Sequence, residues 1–112
     1  METEEGIVAK LVGVSFYQEN LKDLKENDEV DFIEEPNNQF DRNAIRVCFK
    51  GNTLGYMKRD SKIREYIKRY LHNENYGVKA VICSVYGHDK GTIGVTIHIK
   101  RILKDLYKKE VE

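Results

Sequence analysis

The sequence predicts a mainly β fold: a small, OB-like, partly open barrel of six antiparallel strands with one main helix. Six short runs have the alternation or the β-branched content of strands. Two of their connections are short and contain glycine, which is typical of hairpins. Only one segment keeps apolar residues at helical spacing over several turns. A curled sheet leaves few exposed strand edges in a chain of 112 residues.

Residues 6–17 are β-rich with apolar side chains on both faces, so we expect both faces to be covered. Gly13 inside this run predicts a bulge or a close backbone approach. Residues 18–27 are polar and predict a short turn of helix. Residues 29–34 predict the second strand, which ends before Pro36 because proline has no N–H to donate.

The third and fourth strands form a predicted hairpin. Residues 44–50 alternate in polarity, and Gly51-Asn52 is the candidate turn before a return strand at 53–57. A second hairpin joins 78–86 to 92–100, and in its second strand the apolar residues Ile93, Val95, Ile97 and Ile99 alternate to form one face.

The second hairpin's connection, Gly87 to Gly91, has a glycine at each end, and Tyr86 stands at its mouth. After it, residues 101–112 predict a short docked helix with a charged end.

The main helix begins near Asp60 or Ser61, either of which can cap its first turn. Its predicted inner face consists of Ile63, Tyr66, Ile67, Tyr70 and Leu71. Its predicted outer face consists of Lys62, Arg64, Lys68 and Arg69.

Length and composition fit a single domain over 1–112, with a core at about 6–100 and a charged tail at 101–112. A hydrophobic fraction of 40% and a charged fraction of 34% are typical of soluble proteins. No apolar run approaches the ~20 residues that span a bilayer. The acidic start, Met1 to Glu5, is the reverse of a secretory signal. We therefore expect a cytoplasmic protein with no membrane partner.

Catalytic and metal-binding patterns are missing from the sequence. Cys48 and Cys83 lie in strand-like runs, where we expect buried, reduced thiols. His72, His88 and His98 lack the spacing of zinc ligands. We find no paired carboxylates, nucleophile motif or phosphate loop. These observations predict a protein that is not an enzyme and has no cofactor.

The net charge of zero hides an uneven distribution. Residues 1–41 contain three basic and twelve acidic side chains, a net of −9, and residues 42–112 carry +9. Nine Lys and Arg side chains against two acids lie between Arg42 and Arg69. This asymmetry is compatible with a polyanionic partner, and also with two oppositely charged surfaces that only keep the protein soluble.

The loop between the second and third strands, 35–44, has an unusual composition. It contains Pro36, three asparagines and the triplet Phe40-Asp41-Arg42. Proline and asparagine favour a sharp, ordered turn. An aromatic ring beside a carboxylate and a guanidinium fits a docking place, and it fits equally a loop anchored by a buried Phe and an Arg–Asp pair.

Three segments together resemble the HIRAN domain: residues 12–17, 35–45 and 54–59. Their most specific part is the pattern E-P-x-N-x-[FY]-D-x-N-A-I in the central segment, and the resemblance spans at least residues 6–100. HIRAN domains occur at the N-terminus of eukaryotic DNA remodellers and as stand-alone bacterial and phage proteins.

The resemblance implies an OB-like barrel that captures the 3′ end of single-stranded DNA, in DNA repair or replication-fork processing. It implies that Phe40 stacks on a base and that Asp41 accepts a hydrogen bond from the terminal 3′-hydroxyl. The DNA-binding residues that it implies on this sequence are Phe16, Asn38, Phe40, Asp41, Tyr56, Lys58, Arg59 and Tyr86.

One position departs from the family pattern. The remodellers carry an Arg-Tyr pair where this chain has Ser15-Phe16, and serine cannot make a bidentate phosphate contact. Weaker affinity, or compensation by a neighbour such as Lys58, is expected. An alternative interpretation is that Phe16 and Phe40 only plug the ends of the barrel.

The expected partner is single-stranded DNA with a free 3′ end, together with a helicase or nuclease that the chain recruits. The alternative function is a protein-interaction module or a non-catalytic subunit of a helicase or nuclease complex.

Overall fold

The fold is described by a computed structural model that covers residues 6–59 and 62–104. The strands are β1 (Ile7–Lys10), β2 (Glu29–Glu34), β3 (Ile45–Phe49), β4 (Asn52–Tyr56), β5 (Tyr76–Tyr86) and β6 (Gly94–Leu103). The helices are α1 (Gln18–Leu21) and α2 (Lys62–Leu71), and two 3-10 turns lie at Val14–Phe16 and His88–Lys90. The predicted fold class, mainly β with six antiparallel strands and one main helix, is confirmed.

The six strands form one antiparallel sheet in the order β1-β6-β5-β2-β3-β4, which curls into a half-barrel. The two halves of the sheet meet where β2 pairs with β5 through only two residue pairs. At the far side, Val12 and Tyr56 exchange two backbone hydrogen bonds of 2.9 Å. The segment after β1 therefore reaches β4 and brings the 3-10 turn Val14–Phe16 beside it.

The core fills the inside of the curl. The predicted inward face of the last strand is confirmed, since Val95, Ile97 and Ile99 in β6 are fully buried and Ile93, just before β6, is 8% exposed. α1 contributes Leu21 to the same cluster. Removal of this apolar surface from water is the main force that holds the curl together.

The first strand is shorter than predicted. It ends at Lys10, and the chain then turns at Gly13, whose φ of 70° is left-handed. The expectation that both faces are covered is wrong, because Val8 is 59% and Val12 40% exposed. β1 lies at the edge of the sheet, where only the face toward the barrel interior is covered.

The hairpin of β3 and β4 is confirmed, with its turn one residue earlier than predicted. Lys50 and Gly51 have φ of 50° and 84°, which is the backbone of a type I′ turn. Asn52 is therefore not in the turn. It is the first residue of β4 and pairs with Phe49.

Two side chains differ from their predicted burial. Cys83 is exposed because it falls at an irregularity in the pairing of β5 with β6, between Ile82 and Ser84. Cys48 is buried as expected. Arg64, predicted on the outer face of α2, is only 7% exposed.

The end of the chain corrects one further prediction. Residues up to Leu103 continue β6 and so do not form the docked helix expected at 101–112. Lys104 is helical, and the rest of that expectation, at 105–112, lies outside the described residues, as does the cap at Asp60 or Ser61. Within 6–59 and 62–104, no helix has the length and apolar character needed to cross a membrane.

Candidate nucleic-acid interface

The loop between β2 and β3 is organised by the side chain of Asn38. Its Oδ1 accepts hydrogen bonds from the backbone N–H groups of Phe40, at 2.9 Å, and Asp41, at 3.0 Å. Its Nδ2 donates to Oε1 of Glu35 at 3.0 Å. Asparagine at this position thus supplies the turn with both an acceptor and a donor. Asn38, predicted as a DNA-binding residue, holds the tip of the loop in shape.

Two phenylalanine side chains stand almost entirely in solvent. Phe40 at the loop tip is 88% exposed and Phe16 at the end of the 3-10 turn is 82% exposed. Neither ring therefore fills an end of the barrel, which excludes the plug interpretation. Large apolar rings held on ordered backbone with their faces free are available for stacking.

Glu35 is the centre of a polar network below the loop. The hydroxyl of Tyr56 donates to its Oε2 at 3.1 Å, and Nε of Arg46 lies 3.2 Å from the same oxygen. Burial, followed by the hydrogen bond to Glu35 and that residue's negative charge, raises the pKa of Tyr56 to about 12. The Tyr56 hydroxyl thus keeps its proton at physiological pH and holds β4 to the loop.

Three aromatic rings, Phe16, Tyr17 and Tyr56, form what we call the aromatic row. The ring centres of Phe16 and Tyr17 are 6.5 Å apart in an edge-on contact, and those of Tyr17 and Tyr56 are 6.4 Å apart. Both separations are within the range of favourable aromatic pairs. Through Tyr56, Glu35 and Asn38, the row connects to the loop that carries Phe40.

Asp41 is bound on both of its carboxylate oxygens. Nη1 of Arg64 is 2.7 Å from Oδ2, and the backbone N–H of Asn43 donates to Oδ1 at 3.0 Å. The hydrogen bond from Arg64 lowers the pKa of Asp41 below its ordinary value, aided by Asn43 and the charge of Arg59 and opposed by burial. A carboxylate has about four acceptor positions, so about two remain for a ligand. Arg42, the partner considered from sequence, is exposed.

The helix α2 supports this loop from one side. Besides Asp41, Arg64 binds the backbone carbonyl of Met57, to which its Nη2 donates at 3.0 Å. One turn further along, Nζ of Lys68 donates to Oδ1 of Asn43 at 2.9 Å. These contacts join α2, the end of β4 and the loop into one unit.

The remaining predicted residues lie around this unit. Lys58 and Arg59 are exposed directly after β4. Tyr86 is 40% exposed on the other hairpin, with Nζ of Lys10 5.8 Å from its ring centre. Its ring lies over Gly94, where an added Cβ would be 2.5 Å from it.

Gln18 connects the end of the loop that follows Tyr86 to the 3-10 turn Val14–Phe16. Nε2 of Gln18 donates to the carbonyls of Val14 and Ile93, at 2.9 and 3.0 Å, and its Oε1 accepts from the N–H of Ile93 at 2.7 Å. The loop after Tyr86 is thereby fixed to the segment that carries Phe16.

The structure thus groups most of the predicted site residues around one loop and the aromatic row. Five further contributors were not predicted as site residues, and they are Tyr17, Glu35, Arg46, Arg64 and Lys68. Tyr17 and Glu35 lie within the motif segments, so a search of those segments for hydrogen-bonding side chains could have found them. Arg64 and Lys68 are four residues apart on one face of α2, and only the packing of the helix distinguishes them from its other basic residues.

An antiparallel half-barrel with free aromatic rings beside basic side chains has the features of a nucleic-acid-binding module. The family model described as "HIRAN domain" matches residues 6–102, and the chain belongs to this family. That membership supports a nucleic-acid-binding module rather than a catalytic domain. A search of curated proteins finds no match.

Two solved structures are similar to the chain. The HIRAN domain of human HLTF superposes with a TM-score of 0.65 at 22% identity, over 86% of this chain and 74% of that one. A protein from Lactobacillus plantarum superposes with a TM-score of 0.57 at 17% identity, over 83% of this chain and 91% of that one. At these identities the similarity establishes the fold.

Proposed function

We propose that the chain binds the 3′ end of single-stranded DNA, in DNA repair or replication-fork processing. The observation that carries this proposal is the exposure of Phe40, 88%, directly beside an ionised acceptor, Asp41. The motif shared with the family contains both residues. The scaffold of Asn38 and Glu35 holds this pair without using the ring, which leaves it for a ligand.

Stacking of DNA bases on aromatic rings supplies affinity that does not depend on the base sequence. Each base stacked on an aromatic ring contributes about 1–3 kcal/mol. Phe40 takes the terminal base, and Phe16 at the end of the aromatic row takes a neighbouring one. Tyr86 offers a further ring at the mouth of the second hairpin.

Asp41 supplies the preference for an end. Its free acceptor positions can receive a hydrogen bond from a terminal 3′-hydroxyl, whereas a terminal phosphate has no strong donor and adds negative charge. The low pKa of Asp41 keeps the carboxylate ionised at neutral pH, so it acts only as an acceptor.

The backbone phosphates are neutralised by Lys58 and Arg59. Ser15 is exposed and brings no charge to the position where the family pattern has arginine. Arg42, exposed on the loop that carries Asp41, is the cation that we expect to replace that charge. We therefore expect binding that weakens steeply with salt.

The decisive experiment compares three 5′-labelled oligothymidines that end in a 3′-hydroxyl, a 3′-hydrogen or a 3′-phosphate, by fluorescence anisotropy. We expect the hydroxyl end to bind about tenfold or more tightly than the hydrogen end, because the hydrogen end cannot donate a hydrogen bond to the charged carboxylate. The phosphate end should bind no more tightly than the hydrogen end. Equal affinity for all three would exclude end capture and leave non-specific strand binding.

A protein-interaction module is the second candidate, favoured by the exposed edge of the sheet. β1 is an edge strand, and Val8 is 59% exposed there. An extended partner segment could pair with such an edge. This candidate predicts no DNA binding even at low salt. A helicase or nuclease recruited by the DNA-binding form would dock on the same surface.

A further inference from the structure

We propose that α2 carries a second binding subsite, which holds the phosphodiester backbone of the same strand on the 5′ side of the captured end. We call it the α2 subsite; its residues are Lys62, Lys68 and Arg69. The inference rests on the proposed function, which sets the direction of the strand by placing its 3′ end at Asp41. It concerns a surface that the pocket around Phe40 and Asp41 does not include.

The α2 subsite lies on the helix that supports the recognition loop, with Lys68 on the side that faces the loop and Lys62 and Arg69 on the adjoining exposed side. Lys68 bonds the side chain of Asn43, and Arg64 bonds Asp41, so the helix is attached to the loop at two points one turn apart. In this proposal, a strand whose last nucleotide lies at Asp41 leaves the pocket beside α2.

Charge favours a polyanion at this surface. Lys62 and Arg69 are exposed, at positions 7 residues apart that lie on the same side of the helix. Arg64 already neutralises Asp41 in their ion pair, so that carboxylate does not offset these cations. The acid on the exposed face is Glu65, and Glu34 near the end of the helix is engaged by His72 at 2.6 Å.

The dimensions also fit a short stretch of strand. Seven residues of helix rise about 10 Å. A stacked strand advances ~3.4 Å per nucleotide, so the exposed cations span ~3 nucleotides. Strands too short to leave the pocket cannot reach them, and longer strands can.

The length of the DNA strand therefore distinguishes the α2 subsite from the pocket around Phe40 and Asp41. The test measures binding of 3′-hydroxyl oligothymidines of about three and about ten nucleotides to the wild type and to the Lys62→Gln/Arg69→Gln variant. We expect the variant to bind the longer strand on the order of tenfold more weakly and the short strand unchanged. The slope of log K against log salt should become shallower by ~0.7 for each phosphate that the variant no longer neutralises, for the longer strand alone.

Two further variants serve as controls. Lys22→Gln/Lys25→Gln removes the same charge from exposed positions outside α2, and it should bind both strands like the wild type. Glu65→Gln removes the acid from the α2 face and should tighten binding of the longer strand alone.

An equal loss of affinity for both strands, no loss for either, or the same loss in the Lys22→Gln/Lys25→Gln control would overturn the α2 subsite. The two proposals fail separately. If hydroxyl and phosphate ends bind equally while the variant still loses affinity only for the longer strand, end capture is wrong and the α2 subsite stands.

Discussion

Asp41 has a structural role in the fold and, in the proposed function, a binding role as well. Arg64 and the Asn43 amide take one acceptor position on each of its oxygens, which fixes the plane of the carboxylate. In the proposed function, the remaining acceptor positions bind the terminal hydroxyl in an orientation set by the protein. A carboxylate held in this way needs little reorganisation on binding, which favours affinity.

Acid titration tests the ionised state of Asp41. Its pKa in the folded protein is below the ordinary value of 3.8, so the native state binds fewer protons than the unfolded state in this range. Its contribution to stability is therefore complete above that value and is lost as pH falls through the lower, folded pKa. We expect the difference in unfolding free energy between wild type and Asp41→Asn to be constant from about pH 5 to pH 7 and to shrink in stronger acid. Urea unfolding followed by circular dichroism measures it, and a difference that does not change with pH would contradict the assignment.

Substitution of Phe40 should lower DNA affinity without changing the stability of the fold. Because its ring is 88% exposed, Phe40→Ala should leave the unfolding free energy within about 0.5 kcal/mol of wild type. Affinity for a 3′-hydroxyl strand should fall by about 1–3 kcal/mol, which is the worth of one stacked base.

Phe49→Ala is the matched control for Phe40→Ala. Phe49 is half-buried against the core, so its truncation should lower the melting temperature while the folded fraction still binds the strand. Unchanged DNA affinity in Phe40→Ala would remove this ring from the site.

At the scale of elements, α2 is held to the barrel by a buried arginine as well as by apolar packing. The side chain of Arg64 is 8% exposed, and its guanidinium binds the carbonyl of Met57 and the carboxylate of Asp41. Burial of a charge is unfavourable unless the charge is paired and hydrogen-bonded. These two partners explain why a basic residue occupies the inner face of an amphipathic helix.

Arg64→Met should therefore be strongly destabilising, although it keeps most of the volume of the side chain. Removing one partner of a buried ion pair leaves the other charge uncompensated and costs about 3–5 kcal/mol. Arg69→Met, on the exposed face of the same helix, should change the unfolding free energy by less than about 0.5 kcal/mol. Combining Arg64→Met with Asp41→Asn in a double-mutant cycle should recover part of the loss, and purely additive effects would show that the ion pair is not the cause.

At the scale of the whole molecule, the closure of the barrel decides where the site residues meet. The two hydrogen bonds between Val12 and Tyr56 join the segment after β1 to β4, which is the last strand of the sheet. They place the 3-10 turn with Phe16 beside Tyr56 and hence beside the Glu35 network. Without this closure, residues 12–17 would lie at one edge of an open sheet and residues 35–45 and 54–59 toward the other.

Gly55 makes this closure possible, and its replacement tests it. A Cβ at Gly55 would lie 2.7 Å from the backbone oxygen of Val12 and 3.1 Å from the side chain of Val14. Since a backbone oxygen cannot move without breaking the closure, Gly55→Ala should cost about 1–3 kcal/mol. Hydrogen exchange should show reduced protection at the amides of Val12 and Tyr56.

Gly77→Ala provides the control for Gly55→Ala. It also lies in a strand, and an added Cβ there would meet atoms no closer than 3.8 Å. It should be neutral or slightly stabilising. Equal destabilisation by the two substitutions would show that strand propensity, rather than closure, is responsible.

The sequence by itself determined those features of the fold whose physical cause lies within a few residues along the chain. Alternation fixed the face of β6 that is buried, proline ended β2, and glycine placed the turn of the first hairpin to within one residue, because each acts over a few neighbouring bonds. The loop 35–44 was also readable, since Asn38 hydrogen-bonds residues two and three positions away. The motif was therefore enough to indicate the family.

Only the tertiary structure decided the partners of the long side chains. Periodicity assigned Arg64 to the outer face of α2, because an apolar pattern cannot anticipate a carboxylate brought in by a loop 23 positions earlier. The exposure of Phe16 and Phe40, and the meeting of the aromatic row with Glu35, likewise depend on how far the sheet curls and where it closes. These are contacts between residues distant in the chain, and they are set by the packing of the whole barrel.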